Sequence, residues 1–222
     1  MPRAIRRASG AAAILVAAGL ALAGCGDDAL GLAFSAEPGD ATPLRRSGVP
    51  AFAMLDGAVN VQGPEGFCVD TATSRPARGF AVLATCGLIS DIPAVPAIEG
   101  LITVQVGEPG SAVVAGSEVT MRDLLTSGPG VQLLATDGRP ESITIDRIDT
   151  REGLVVVHFT DAAPPAIAGL EQREWRAFLD LGERLATISV RGFARAPLRE
   201  DTGLVLLDQA VFALQAVNKP AE

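Results

Sequence analysis

The single histidine of this chain is its best candidate for acid–base chemistry at neutral pH. His158 lies in the apolar run Leu154–Thr160, and Asp161 follows that run directly. A hydrolase built from Ser, His and Asp also needs a nucleophile on a sharp turn, and the sequence contains no Gly-x-Ser-x-Gly motif. We interpret His158 as a strand histidine satisfied by backbone or solvent, and we assign no catalytic residue. A hydrolase that uses His158 is the alternative.

Carboxylates are more numerous, but their positions favour turns over catalysis. Five carboxylates are candidates for a catalytic pair. All of them except Asp146 fall at the tips of two predicted hairpins, where acidic residues commonly form turns. A glycosidase would need two such carboxylates across one cleft, and a metal site would need more ligands than one histidine and a cysteine pair supply. We therefore expect no metal and no other cofactor. The five carboxylates are Asp146, Asp149, Glu152, Asp180 and Glu183.

Arginines are concentrated in the last predicted hairpin and just before the final predicted helix. Adjacent strands would gather some of them into a patch that binds an anionic partner or headgroup. The alternative is a solvated face on which they pair with the equally frequent acids. The predicted patch consists of Arg184, Arg191, Arg195 and Arg199, with Arg173 and Arg176 nearby in the sequence.

The first 25 residues have the organisation of an export signal. Three arginines within residues 3–7 precede the uninterrupted small and apolar run Ala11–Ala23, which is too short to span a bilayer but suits the core of a signal peptide. The run ends in Leu22-Ala23-Gly24-Cys25, which resembles the lipobox of bacterial lipoproteins. The resemblance implies cleavage between Gly24 and Cys25 and acylation of the Cys25 thiol. An ordinary signal peptide with an incidental cysteine is the alternative.

The expected location is the cell envelope, with the chain facing the periplasm and bound to the lipid bilayer through acylated Cys25. Gly26 follows the cysteine, and by enterobacterial sorting rules this favours the outer membrane over the inner membrane. Cleavage would change the formal charge from −8 to −11, because residues 1–24 carry three arginines and no acidic residue. Such an anionic chain is repelled by nucleic acid, so we expect no nucleic-acid partner.

Cys68 and Cys86 are the two cysteines that remain once Cys25 is acylated. An even pair in an exported protein predicts a disulfide. A redox pair would favour Cys-x-x-Cys spacing, which these residues lack. Closing this ring would restrict the unfolded chain by about 3 kcal/mol.

Periodicity divides the mature chain into a flexible tether over residues 25–50 and one folded domain over residues 51–222. A first strand near Leu32–Phe34 is the alternative for part of the tether. The apolar run at 154–159 is expected in the centre of the sheet. The predicted strands are Val59–Val61, Phe67–Val69, Phe80–Ile89, Leu101–Val106, Ser142–Ile148, Leu154–Thr160, Trp175–Leu179 and Leu185–Val190, and the predicted helices are Thr120–Leu125, Val131–Ala135 and Pro197–Lys219.

These elements predict an α+β fold with a mainly antiparallel sheet of about six to seven strands and helices packed on both faces. Their order resembles the PsbP-like fold, found in a photosystem extrinsic protein and in several bacterial lipoproteins. The segments GPEGFCVD, FAVLATC and RLATISVRGF are similar to those of uncharacterised alphaproteobacterial envelope lipoproteins. Some of these relatives carry transport-ATPase names, but this chain contains no Gly-x-x-x-x-Gly-Lys phosphate loop.

Two functions of different classes follow from the sequence. The favoured one is a membrane-anchored, non-catalytic binding or assembly module with an envelope protein as partner. The alternative is a lipid-anchored periplasmic hydrolase. A cleft converging on His158 and Asp161 would favour the hydrolase, and an apolar or basic groove on an anionic surface would favour the binding module.

Overall fold

Alternating and fully apolar segments form one antiparallel sheet in the computed structural model, which describes residues 47–219. The eight strands lie in the order β1-β4-β5-β6-β10-β9-β8-β7, and β2 and β3 form a separate two-stranded sheet. The fold class is therefore α+β with an antiparallel sheet, as predicted, with more strands than expected. The strands are β1 Gly48–Val49, β2 Ala51–Met54, β3 Val59–Gln62, β4 Phe67–Asp70, β5 Phe80–Thr85, β6 Leu101–Val106, β7 Ile143–Arg151, β8 Leu154–Asp161, β9 Arg173–Leu181 and β10 Arg184–Arg191.

Helices of the described residues 47–219 pack on both faces of the sheet. The helix α4 packs on β9 and β10, whereas α2 packs on β7 and β8. Successive side chains of β8 divide between the two resulting cores, because a strand points alternate residues to opposite faces. Leu154 and Val156 join the α4 core, and Val155 and Val157 join the α2 core. The helices are α1 Cys86–Ile89, α2 Glu118–Thr126, α3 Gly128–Gln132 and α4 Glu200–Val217, with 3₁₀ turns at Pro76–Arg78 and Pro140–Ser142.

The strand β8 is buried on both faces, as its apolar run predicts, but it is not central. It lies next to the edge strand β7. The reason is that α2 covers this end of the sheet on one face. Burial on both faces therefore did not require a central position in the sheet.

The first strand overturns the predicted boundary between tether and domain. Gly48 and Val49 pair with the end of β4, and the Ser47 hydroxyl donates a hydrogen bond to Asp70 Oδ1 at 2.5 Å. Val49 also packs against the α4 core. Residues 47–50 thus belong to the folded part of the chain. The remaining tether, the signal peptide and the alternative strand near Leu32–Phe34 lie outside the described residues.

Two elements begin or end at residues other than those predicted from the sequence. The predicted strand Phe80–Ile89 stops at Thr85, and Cys86–Ile89 turns into α1. The final helix starts at Glu200 and not at Pro197. Leu198 N–H donates to Glu171 Oε1 at 2.9 Å, a contact that holds the residues before α4 outside the helix.

Both predicted hairpins are tighter than expected. Arg151 pairs with Leu154, and Leu181 pairs with Arg184, which leaves two-residue turns where longer ones were predicted. Gly153 has φ of 66°, a left-handed conformation that glycine adopts without strain.

The helix α2 is longer than predicted, and α3 begins earlier. The side chain of Ser127 accepts a hydrogen bond from Gly130 N–H at the start of α3. A Cβ atom at Gly130 would collide with the backbone of Leu124, so glycine is required where α3 approaches α2. Within residues 47–219, no helix has both the length and the apolar character needed to cross a membrane.

Candidate functional site

His158 lies in β8 with its ring stacked on Trp175 of β9, ring centroids 4.4 Å apart. The side chain is 7% exposed. Its Nδ1 is 3.2 Å from Asp146 Oδ2, but the contact lacks hydrogen-bond geometry, and Nδ1 has no hydrogen-bond partner among residues 47–219. Asp146 reaches this position because it is the extra residue of a β-bulge in β7.

Burial sets the protonation state of His158. Desolvation lowers the pKa of His158 from its usual 6.5, and the nearby Asp146 carboxylate raises it by less. The imidazole is therefore neutral at pH 7. A neutral ring stacked on Trp175 acts as part of the α4 core.

A substrate has no room at His158. The cavity beside the ring is about 10 Å³, far smaller than the few hundred Å³ of a typical ligand site. A wider groove opens at the start of α4, where Arg147, Trp175 and Arg199 line it, but His158 does not. The described residues thus contain no cleft that converges on His158.

Asp161 is not a partner of His158. The two residues are three positions apart in one strand and point to opposite faces of the sheet. The Asp161 carboxylate accepts hydrogen bonds from Thr136 N–H at 2.7 Å and Ala163 N–H at 2.9 Å. Burial alone raises the pKa of Asp161, but these backbone donors, together with the side chains of Ser142 and Thr136, more than offset it and hold the pKa low. Asp161 therefore fixes the loop that follows α3 by accepting the hydrogen bond from Thr136.

The other candidate carboxylates also have structural positions. Asp180 accepts from the backbone N–H groups of Val113, Val114 and Ala115 at 3.0, 2.9 and 2.8 Å and so fixes the loop before α2. Asp149 pairs with Arg147, and Glu152 and Glu183 lie in the two hairpin turns. Within residues 47–219, no group of His, Cys, Asp and Glu is arranged to hold a metal ion.

The structure separates Arg184 from Arg191, two residues of the predicted arginine patch. Arg184 and Arg191 stand at opposite ends of β10, about 23 Å apart for a strand of this length. Arg195 lies over the ring of Phe193, and Arg199 is exposed beside Asp201. Arg184 donates to the backbone of Gly107. The four arginines therefore do not form one surface.

A buried ion cluster forms instead around Glu174. This side chain is 2% exposed, and its carboxylate lies between Arg176 and Arg191. Arg176 Nε donates to Glu174 Oε1 at 2.7 Å, and Arg191 Nε donates to Glu174 Oε2 at 2.6 Å. Arg176 also lies over the ring of Phe159, 5.1 Å from its centroid, and donates to the backbone of Leu133. The cluster joins β9, β10 and Leu133, the residue that directly follows α3.

Sequence analysis missed Glu174, although the sequence carried a signal for it. In the observed hairpin register, Trp175 pairs with Val190 and Arg176 with Ser189, which places Glu174 opposite Arg191. A carboxylate opposite an arginine in a largely apolar strand pair indicates a buried ion pair. The two-residue turn had to be known before this register could be derived.

The Glu174 cluster forms the floor of a cavity of about 300 Å³ on the α2 face of the sheet, which we call the Glu174 basin. The floor consists of Glu174, Arg176, Ser189 and Arg191. The other lining residues, which we call the walls, are largely apolar and come from β5, β6, the loop after α3 and the loop before β9. The wall residues are Phe80, Leu101, Thr103, Thr136, Pro165, Ala166, Ile167 and Leu170.

A second, larger concavity lies against α4 on the other face. This groove, which we call the Phe212 groove, has a volume of about 630 Å³ and runs between α4, the β3–β4 turn and the loop 95–98. Phe212 is 70% exposed and Val95 is 71% exposed at its margin. Gln62, Glu65 and Gln209 supply polar groups around it. Apolar side chains exposed in this way are typical of an interaction surface.

Cys68 and Cys86 lie at disulfide geometry, with Cα atoms 4.8 Å apart. Cys68 is in β4, whereas Cys86 is the first residue of α1 and not part of β5. The pair therefore joins a strand to the turn that follows its neighbour. The prediction that Cys86 lies in the strand Phe80–Ile89 is therefore wrong.

The neutral state of His158 predicts a specific dependence of stability on pH. Because its pKa is lower in the folded chain than the usual 6.5, the unfolded chain binds more protons below that pH. We expect wild-type protein to lose stability as pH falls from about 7.5 to 5.5, and His158→Gln to lose less over the same interval. Urea unfolding of both proteins at the two pH values measures the difference. Equal losses in the two proteins would show that His158 is not buried in its neutral form.

Comparisons with known proteins give no family for this chain. No protein-family model matches the sequence, and no curated protein matches it. Among solved structures, the chain is similar to the Saccharomyces cerevisiae Ran-binding protein Mog1p, with 12% identity, a TM-score of 0.36, and coverage of 76% of this chain and 90% of that one. A mutant of Mog1 matches with 12% identity, a TM-score of 0.36, and coverage of 76% and 91%. Likeness at this level carries no functional argument, and the PsbP-like resemblance stays a prediction.

Proposed function

We propose that this protein is a lipid-anchored, non-catalytic binding or assembly module of the cell envelope. The anchor is acylated Cys25 in the Leu22–Cys25 lipobox, and the outer membrane is the favoured location. One observation supports a non-catalytic role. His158 is buried with its ring stacked on Trp175, and the cavity beside it is only about 10 Å³. The one side chain suited to move protons near pH 7 therefore has no access to a substrate.

The Phe212 groove supports the binding role. Its large apolar side chains are exposed on a folded surface, where burial against a partner would remove them from water. Anchoring would confine this groove to the membrane surface and raise its effective concentration toward another envelope protein. The mature net charge of −11, reached by loss of three arginines with residues 1–24, opposes binding to nucleic acid.

Complementation separates this proposal from the hydrolase alternative. In a strain where deletion gives a measurable envelope phenotype, we expect His158→Gln to complement nearly as well as wild type. We expect Cys25→Ser to complement poorly, because an unanchored domain loses its high local concentration. Immunoblots of fractionated cells control for expression and export. A stable, exported His158→Gln protein that fails to complement would make the hydrolase the better proposal.

A further inference from the structure

We infer that the Glu174 basin is a binding site for a small amphiphilic carboxylate, with its head on Arg176 and Ser189 and its apolar body against Leu101, Ile167 and Leu170. The inference does not depend on the lipid anchor or on the Phe212 groove. It rests on the charge, the free donors and the shape of this cavity.

The charge on the floor selects an anion with a single negative charge. Arg176 and Arg191 together carry two positive charges, and Glu174 neutralises one of them. No other ionisable side chain lines the basin among the described residues. One positive charge therefore remains at the bottom of a largely apolar cavity, where its interaction with an anion is stronger than in bulk water.

Hydrogen-bond donors on the floor are available for the head of the ligand. The contacts of Arg176 use Nε and Nη1, and Nη2 has no hydrogen-bond partner within residues 47–219. Ser189 accepts from Arg176 Nε, so its hydroxyl hydrogen remains free to donate. Arg176 and Ser189 are paired across β9 and β10, which places both donors side by side. Two neighbouring donors, one of them charged, suit the two oxygens of a carboxylate.

The walls of the basin require an apolar body on the ligand. Leu101 of β6, which is paired with Arg191 of β10, lines the cavity together with Ile167 and Leu170 of the loop before β9. Its volume of about 300 Å³ is at the small end of the range for ligand pockets. A bare inorganic anion would leave these walls in water. A medium-chain fatty acid and an apolar peptide C-terminus share the required chemistry.

Calorimetric titration of the mature chain with Cys25→Ser tests this inference. The probes are decanoate, decanol and a short acetylated peptide that ends in leucine with a free carboxylate. We expect saturable binding of a carboxylate probe and at least tenfold weaker binding of decanol, which lacks the charge. The carboxylate probe that binds more tightly shows whether the ligand is a fatty acid or a peptide C-terminus. Failure of both carboxylates to bind, or equal binding of decanol, would overturn the inference.

Two matched variants locate the binding site. Ile167 lines the basin and is 40% exposed, whereas Leu88 lies outside it and is 72% exposed. Both positions therefore reach solvent, where a charged side chain is tolerated. We expect Ile167→Glu to weaken carboxylate binding at least tenfold through like-charge repulsion. Leu88→Glu should leave binding within about twofold of the parent chain. Thermal melting of both variants confirms that they are folded. Equal effects of the two substitutions would contradict a site in the basin.

Discussion

Glu174→Gln is expected to lower the free energy of unfolding by about 3 kcal/mol or more, the cost of removing one partner from a buried ion cluster. Glu174 is 2% exposed, and its two oxygens accept charged hydrogen bonds from Arg176 and Arg191. A neutral amide retains the shape but leaves two guanidinium groups close together with no compensating charge. Urea unfolding at constant pH measures the change.

Glu152→Gln is the matched control, because it makes the same substitution in an exposed hairpin turn. We expect the control to remain within about 0.5 kcal/mol of wild type. The double variant Glu174→Gln, Arg191→Met should recover part of the loss, since it removes one of the uncompensated charges. A Glu174→Gln protein as stable as the control would show that the cluster does not hold β9, β10 and the end of α3 together.

Loss of the Cys68–Cys86 disulfide is expected to cost about 3 kcal/mol, because the open chain regains conformational freedom when unfolded. The two cysteines are separated by 18 positions. Their side chains are buried, so Cys68→Ala with Cys86→Ala avoids leaving unpaired hydroxyl groups in the core. Unfolding with and without a reductant provides the test.

Reductant should destabilise wild type to about the level of the double variant and leave the double variant unchanged. Thiol titration of denatured, unreduced protein should detect neither cysteine as a free thiol. Two free thiols in the exported protein would refute the disulfide.

The parts of the fold that were predictable carry a strong local pattern. Ile102, Val104 and Val106 alternate with polar residues, and β6 has the predicted bounds. In α4, Leu207, Val211 and Leu214 recur at helical spacing and are buried. These patterns reflect burial on one face and need no knowledge of distant residues.

The missed elements depend on partners far away in the sequence. The strand β1 has two residues, and only pairing with β4 distinguishes it from the tether. The pairing of Glu174 with Arg191 depends on the hairpin register, which a shift of one residue would abolish. Both concavities combine segments more than 100 residues apart, such as Gln62 with Phe212.

His158 and Asp161 show the reverse case. The two residues are three positions apart in one strand, and residues an odd number of positions apart point to opposite faces of a sheet. The sequence alone therefore argued against a shared site. The structure adds that Asp161 is engaged by backbone N–H groups. Proximity in the sequence was therefore a poor guide to a catalytic pair.

The central claim is that the mature chain is anchored through Cys25, and the mass of its N-terminal peptide tests this most directly. Mass spectrometry of protein purified from membranes should find a chain that begins at Cys25 and carries covalently attached acyl chains. At least two chains are expected, because a single chain gives only marginal membrane binding. A mature N-terminus at Cys25 with an unmodified thiol, or cleavage at another position, would contradict the account.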